Sequence, residues 1–331
     1  MKPRIPALVL LLCPALLQAG PPPGYYDSAQ GKTGADLRAA LHSIVHNHHV
    51  LPYSGSTHPN TGDAIRFLDE DPANTNNVLA IYSRYSIVKT NLGSSSGTWN
   101  REHRWCDSYG LSRTLPQYTD LNNLCAEEAV VNSTRDNNYF DVSSPLASGY
   151  KTYSNPAAGV TWSRTSLTWE RPDLTKGDCV RAMLYMTVRY IGDAGEPRLS
   201  LTDSTNLIVS GSTYMGRYTT LLKWHFLDPV SAAEQACNEI VYSFQTNRNP
   251  FIDHPEWVAA AFIPPLTIDR TGTNIVLGWT NDYAPTMVIE ESTSPGSAWL
   301  MVTNTPTLIN SNWTSTLPAQ SGSRFYHSRL Q

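Results

Sequence analysis

The stretch "FIPP" at residues 262–265 divides the texture of the chain, and this division constrains the fold more than any single motif. Before it, apolar residues recur at helical spacing. "ADLRAALHSIVHNHH" carries Leu37, Ala40, Leu41, Ile44 and Val45 on one face and predicts an amphipathic helix. "TKGDCVRAMLYMTVRYIGD" predicts a second helix, opening near Asp178. "SAAEQACNEIVYSFQTNRNP" predicts a third, with Ser231 as N-cap, Glu234 completing a capping box and Pro250 as its stop. Its apolar stripe is Ala233, Ala236, Cys237, Ile240, Val241 and Phe244. After "FIPP" the pattern changes to short alternating segments, "TNIVLGWT", "TMVIEEST" and "SAWLMVTN", separated by Gly, Pro, Asn and Ser. The expected fold class is α+β: a helix-rich unit spanning 20–264, then a small all-β sandwich at 266–331, read loosely as fibronectin type III-like.

Residues 1–19 form a separate element. Lys2 and Arg4 precede the apolar "ALVLLLCPALL", and Ala19 is a small residue suited to cleavage, so a secretory signal peptide is expected. A lipid anchor at Cys13 is disfavoured by the bulky Leu12 before it. No other run is long or apolar enough to cross a bilayer, so no membrane insertion is expected, and the mature protein should be secreted or periplasmic. Removing the leader moves the formal net charge from −4 to −6. That balance argues against a nucleic-acid partner unless cations cluster locally, because phosphate binding is dominated by Lys and Arg. Four cysteines remain, Cys106, Cys125, Cys179 and Cys237. An even count in an exported chain favours two disulfides, with three pairings open. Cys237, on an apolar helix face, also suits a buried free thiol. No CxxC spacing occurs, which excludes the usual cysteine zinc sites.

The chemistry lies in "TWNREHRWC", read as a short strand running into a loop. Consecutive residues on an ideal strand face opposite ways, so Glu102 and His103 can share a site only where the strand ends or twists. A carboxylate offers a hard oxygen to Mg²⁺, and a neutral imidazole can take a proton from water. Together they are the minimum for metal-assisted hydrolysis. Further on, "EEAVVNSTRDNN" reads as helical, although Val130 and Val131 are poor helix formers. It would carry Asn132 and Arg135 on one face at i, i+3 spacing. Asn132 offers an amide oxygen to an ion, and Arg135 offers a guanidinium to a phosphate. "NVLAIYS", residues 77–83, reads as a further strand.

"WNREH" with the following "SYGL", then "YTDLNNL", "VNSTRDN" and "NRNPFIDHPE", closely resembles the bacterial endonuclease I family, exported non-specific nucleases of the His-Me finger (ββα-metal) type. The resemblance runs from about Gly34 to about Phe262. It implies a ββα-metal domain with several flanking helices. Position by position, it implies that His103 is the general base and that Glu102 and Asn132 are the metal ligands. Arg135 is implied as a phosphate or supporting contact, with a structural role weighed equally, and Arg101 falls between the same two readings. The implied cofactor is Mg²⁺, with Mn²⁺ or Ca²⁺ as alternatives. The implied substrate is DNA, and RNA besides, cut to 5′-phosphate products by a monomer. The chain departs from the family in two ways. Asn122 replaces a histidine of "DLHNL", and Cys106 and Cys125 occupy positions usually held by proline and arginine. Because those two cysteines flank one site, the expected bridges are Cys106–Cys125 and Cys179–Cys237.

Each polar motif also has a bland reading. Asp120 suits a turn or cap better than a third ligand. His48 and His49 suit packing, since adjacent histidines seldom share an ion. Asn249, Asp253 and His254 suit a hydrogen-bonded loop. Trp99 and Trp105 suit a core at least as well as base stacking, and Trp279 with Trp299 suits a sandwich core better than a sugar platform. Two rival functions follow from the departures and the acidic charge. One is an inactive nuclease-like binding or adhesion protein, and the other is a metal-dependent phosphatase.

Overall fold

The computed structural model describes residues 20–280, 287–310 and 312–331, so the leader expected at 1–19, with Cys13, lies outside the described residues. The chain opens with α1 (Gly34–Val45) and α2 (Thr61–Leu68). An antiparallel sheet follows, β1 (Glu70–Asp71), β2 (Asn74–Leu79) and β3 (Ser86–Val88). Next, β4 (Trp99–His103) pairs antiparallel with β5 (Leu124–Glu128), which runs directly into α3 (Ala129–Arg135). A four-stranded sheet then forms from β6 (Tyr139–Phe140), β7 (Lys151–Asn155), β8 (Val160–Arg164) and β9 (Thr168–Glu170), ordered β6-β9-β8-β7.

The helix α4 (Lys176–Arg189) is buried over nearly its whole length and packs against α1. The strands β10 (Ser200–Thr202) and β11 (Tyr214–Arg217) pair in parallel. They lead to α5 (Tyr218–Leu227), which also packs on α4, then α6 (Ala232–Gln245), α7 (Pro250–Asp253) and α8 (Trp257–Phe262). The capping box on α6 forms as its sequence predicts: Glu234 N–H donates to Ser231 Oγ at 3.1 Å, and Ser231 N–H donates to the Glu234 carboxylate at 3.3 Å. Pro250 does not end this helix. The chain leaves α6 through Thr246 in the left-handed region, and Pro250 instead opens α7, where a missing N–H costs nothing.

Two apolar clusters fill this part of the molecule. The larger surrounds α4 and takes in Trp105 and Cys125, and the smaller joins α2, β2, β5 and α6 through Ile65, Val78, Ala126 and Val241. The β4–β5 pair is the wall between them. Strand periodicity of two sends Trp99, Leu124 and Ala126 into the smaller cluster and Cys125, opposite Glu102, toward the larger. Trp99 and Trp105 are both fully buried, which fixes them as core residues.

Two sequence expectations shift at this wall. The strand expected over 77–83 ends at Leu79, because the buried Glu127 carboxylate takes the backbone N–H of Tyr82 and of Ser83 and turns the chain there. The helix expected to start at Glu127 begins at Ala129, since Glu127 belongs to β5. Glu128 becomes the cap, accepting from Val130 N–H at 2.8 Å and Val131 N–H at 2.9 Å.

The expected disulfides are corrected: Cys106, Cys125, Cys179 and Cys237 are all unbridged. The thiols of Cys106 and Cys125 turn to different carbonyls, of Asp136 and Glu102, and that of Cys237 donates to Leu68 O at 3.0 Å. Burial pushes the Cys106 and Cys237 thiols up to about 12, which keeps them protonated.

After Pro265 the described elements are all strands: β12 (Thr267–Thr271), β13 (Asn274–Thr280), β14 (Met287–Ser292), β15 (Leu300–Met301), β16 (Thr307–Ile309), β17 (Asn312–Pro318) and β18 (Phe325–Leu330). They form a sheet ordered β12-β13-β17-β16 and another ordered β15-β14-β18. Leu277, Trp279, Ile289 and Leu317 make the core between them.

Candidate functional site

Strand β4 ends at His103, and that ending lets Glu102 and His103 line one cavity although they leave the strand on opposite faces. The cavity, about 240 Å³, also meets Arg101, Arg113, Asn132 and Arg135. Glu102 and Asn132 come from β4 and α3. The chain brings them together because α3 follows β5 without a loop and packs back on the strand pair.

Glu102 is 3% exposed. Its Oε1 accepts from Tyr82 Oη at 2.5 Å and from Arg135 Nη1. Among the described residues no hydrogen bond takes its Oε2. Asn132 donates through Nδ2 to Asn100 Oδ1 at 2.7 Å, which leaves Asn132 Oδ1 with no protein donor among the described residues. His103 places Nε2 at 2.9 Å from Tyr118 O. A carbonyl can only accept, so Nε2 carries the proton and Nδ1 presents a lone pair. The imidazole packs in one cluster with Tyr118, ring centroids 4.5 Å apart, and Tyr53, 5.9 Å away and nearly parallel, the two tyrosine rings themselves lying 4.9 Å apart. Burial lowers the His103 pKa below the usual imidazole value, against the opposing pull of the Tyr118 carbonyl and the Glu102 carboxylate.

The two arginines differ from each other. Arg135 is 1% exposed, and both Nη atoms donate to protein: Nη1 to Glu102 and to His103 O at 2.8 Å, Nη2 to Arg104 O at 2.9 Å. Its guanidinium also sits 4.4 Å over Phe140. Of the readings weighed for Arg135, this geometry favours the supporting one, since its Nη donors hold Glu102 and the strand end while the residue still lines the cavity. Arg101 is half-buried, stacks 4.6 Å over Tyr53, and keeps a buried Nε with no hydrogen bond.

The bland readings account for most of the other polar motifs. Asp120 is fully buried and accepts from Tyr185, Tyr190, Gln245 and its own turn through Asn122 N–H, so it has no oxygen to spare for an ion. His48 receives Arg189 Nε at 3.2 Å. Asn249 caps α7, and Asp253 pairs with Arg248. Asn122 lines a separate cavity of about 150 Å³ beside Asp69, Arg104 and Glu234, not the one holding Glu102. Sequence reasoning missed Tyr82, Asn100, Glu127 and the Tyr118 carbonyl. The one available signal was the polarity of Glu127, next to Glu128, at the end of a strand that opens with apolar residues.

A buried carboxylate, an amide and an imidazole open to one polar cavity are the equipment of a hydrolytic centre, and comparison with known proteins gives the class: nucleases, hydrolases acting on nucleic acids. The endonuclease I family matches residues 33–256. A Bacillus amyloliquefaciens protein described as an extracellular ribonuclease is 44% identical over 236 residues, covering 70% of this chain and 76% of that protein. A Bacillus subtilis (strain 168) protein of the same description is 42% identical over 236 residues, with the same coverage. The chain belongs to the endonuclease I family.

Proposed function

We propose that the protein is a secreted, metal-dependent endonuclease that hydrolyses phosphodiester bonds of RNA and DNA with little sequence preference and leaves 5′-phosphate ends. One observation carries this reading: Glu102 Oε2, Asn132 Oδ1 and His103 Nδ1, each left free by its protein partners, belong to residues lining one cavity. The description of the two Bacillus relatives as extracellular ribonucleases supports both secretion and RNA as a substrate. The leader pattern at 1–19 supports export.

The donor set fits a hard divalent cation. Two neutral or anionic oxygens are available, and the polar cavity leaves room for water ligands. Among the described residues no group of three or more His, Cys, Asp or Glu could hold a metal, so the cation proposed is one that keeps several waters, Mg²⁺ first and Mn²⁺ or Ca²⁺ as alternatives. When bound by Glu102 and Asn132, it supplies Lewis-acid stabilisation of the phosphoryl and departing 3′ oxygens.

The protein's own groups carry the remaining steps. His103 Nδ1 accepts a proton from the attacking water, and the Tyr118 carbonyl holds the tautomer that makes this work. Arg135 keeps Glu102 in place, and Arg101 and Arg113, at the cavity wall, meet the phosphate backbone. The cavity lining sets Arg101, Arg113 and Arg135 against Glu102, Asp107 and Asp136, so it is locally balanced where the chain as a whole is acidic. Water is the nucleophile, so a ribose 2′-hydroxyl is not required and both nucleic acids are substrates.

The test uses 5′-labelled RNA and a supercoiled plasmid, each with Mg²⁺ and with EDTA. Cleavage of both, abolished by EDTA and leaving 5′-phosphates, is the expected result. EDTA-resistant cleavage, or 2′,3′-cyclic phosphate ends, would overturn it. Failure to cut either substrate would leave the inactive binding protein, and turnover of an aryl phosphate alone would leave the phosphatase.

A further inference from the structure

The cross-strand pair Asn100–Glu127, on the same face of the β4–β5 wall as Glu102, touches both proposed ligands by different routes. Asn100 reaches Asn132 directly. Glu127 reaches Glu102 through the loop at residues 80–85. That loop is locked at its backbone. Tyr82 N–H and Ser83 N–H donate to Glu127 Oε2, Ser83 Oγ donates to Glu127 Oε1 at 2.6 Å, and Ser83 O accepts from Asn155 Nδ2 at 2.9 Å. Arg84 completes the reversal with φ of 54°. Tyr82, fully buried, is fixed at its ring as well: the Arg171 guanidinium lies 4.8 Å over it and Trp169 packs at 5.4 Å. What this enclosure leaves to Tyr82 is one directed polar group, its hydroxyl, aimed at Glu102 Oε1.

We infer that Tyr82, held by Glu127, is a positioning residue that fixes the rotation of the Glu102 carboxylate so that Oε2 faces the cation. This rests on the reading of Glu102 as a metal ligand. Arg135 alone fixes one oxygen and leaves the carboxylate plane free to turn about it. A second donor, from a different direction on the same oxygen, sets that plane. A carboxylate already oriented gives up little freedom on binding an ion, so the tyrosine acts on affinity for the metal more than on the chemical step.

The experiment is a direct titration of Mn²⁺ into the full-length mature protein, followed by loss of the free-ion electron paramagnetic resonance signal, with thermal melting in parallel. Tyr82→Phe removes only the hydroxyl. It should raise the Mn²⁺ dissociation constant about tenfold, the lower end for loss of a group that orients a metal ligand. At saturating Mn²⁺ its kcat on RNA should return to near that of the wild type. Glu127→Gln, which loosens the loop without touching the ring, should shift the constant in the same direction by less.

An unchanged dissociation constant in a folded Tyr82→Phe protein overturns the inference. So does a lowered melting temperature with metal affinity intact, which is the mark of a merely structural tyrosine. If Tyr82→Phe does not fold, the Glu127→Gln titration decides, by the same two outcomes. Glu102→Ala separates this from the reading beneath it. If that variant still binds Mn²⁺ as the wild type does, the ligand assignment itself fails. If it loses Mn²⁺ while Tyr82→Phe keeps it, only the positioning inference falls.

Discussion

The region before Pro265 and the strands after it are stabilised in different ways. The first buries charge. Arg135, Arg171, Arg181, Asp120 and Glu127 are essentially inaccessible, and most are engaged by directed partners such as the Arg181–Glu234 pair. The second has a thin apolar core around Leu277 and Trp279, and its buried polar residues are only Ser292 and Ser315 among the described ones. Burying a charge is costly unless its partners are in place, so a region built this way tolerates few alternative arrangements. That is what a cavity holding three aligned polar atoms requires. A thin sandwich needs no such specification, and nothing in it meets the cavity around Glu102.

The largest effects should therefore fall at that cavity. His103→Ala removes the proton acceptor and should lower kcat about 10²–10⁴-fold while Mn²⁺ binding persists. Glu102→Ala should lose turnover and metal binding together. Equal loss of both in His103→Ala would make the imidazole a ligand instead. The wild-type rate should fall as pH drops through the His103 pKa. Because burial lowers that pKa, the acid limb of the pH–rate profile should lie below the ordinary imidazole range.

Arg135→Ala comes next. It strands the Glu102 carboxylate with Tyr82 as its remaining donor and leaves the carbonyls of His103 and Arg104 unpaired. Breaking a buried pair from one side costs about 3–5 kcal/mol, measurable by denaturant unfolding. Unchanged stability together with a raised KM would return Arg135 to the phosphate.

These residues were legible in the sequence to different depths. Glu102 and His103 are neighbours, and Asn132 and Arg135 share a helical face, so local spacing exposed all four. The α6 capping box was legible for the same reason, being complete within four residues. Tyr82 was not, because its partners Glu102 and Glu127 lie 20 and 45 residues away and "AIYS" has the pattern of a plain strand. Cysteine arithmetic failed for a related reason. An even count and an expected export signal say nothing about where the thiols end up, and those of Cys106, Cys125 and Cys237 each meet a different carbonyl.

The polar core also predicts a pH response at a single buried group. His225, on α5, is buried with Nδ1 unpartnered, and burial together with the Arg181 charge lowers its pKa to about 4. The unfolded chain takes a proton near pH ~6.5, before the folded protein does. The stabilisation from a neutral His225 is thus complete above that value and is lost as pH falls from there toward 4. From the size of the shift, about 3 kcal/mol is at stake. His225→Gln should flatten that part of the stability–pH curve relative to the wild type. If the two curves stay parallel, the imidazole is not the group being protonated.

The smallest effect tests the other side of the comparison. Trp299 is not a core residue like Trp279. It is half-buried and lies flat on the His327 imidazole, centroids 4.0 Å apart and planes within 5°. His327 is in turn tied to Glu290 at 2.8 Å, and Glu290 also pairs with Arg329. An aromatic pair of this kind contributes about 1 kcal/mol beyond the area it covers. Trp299→Ala should lower the unfolding free energy of the sandwich by at least about 1 kcal/mol, the stacking term with the lost area added to it, and leave kcat/KM on RNA within experimental error. A drop in kcat/KM with metal affinity unchanged would mean that the strands after Pro265 help hold the substrate, and the two regions could no longer be treated as independent in function.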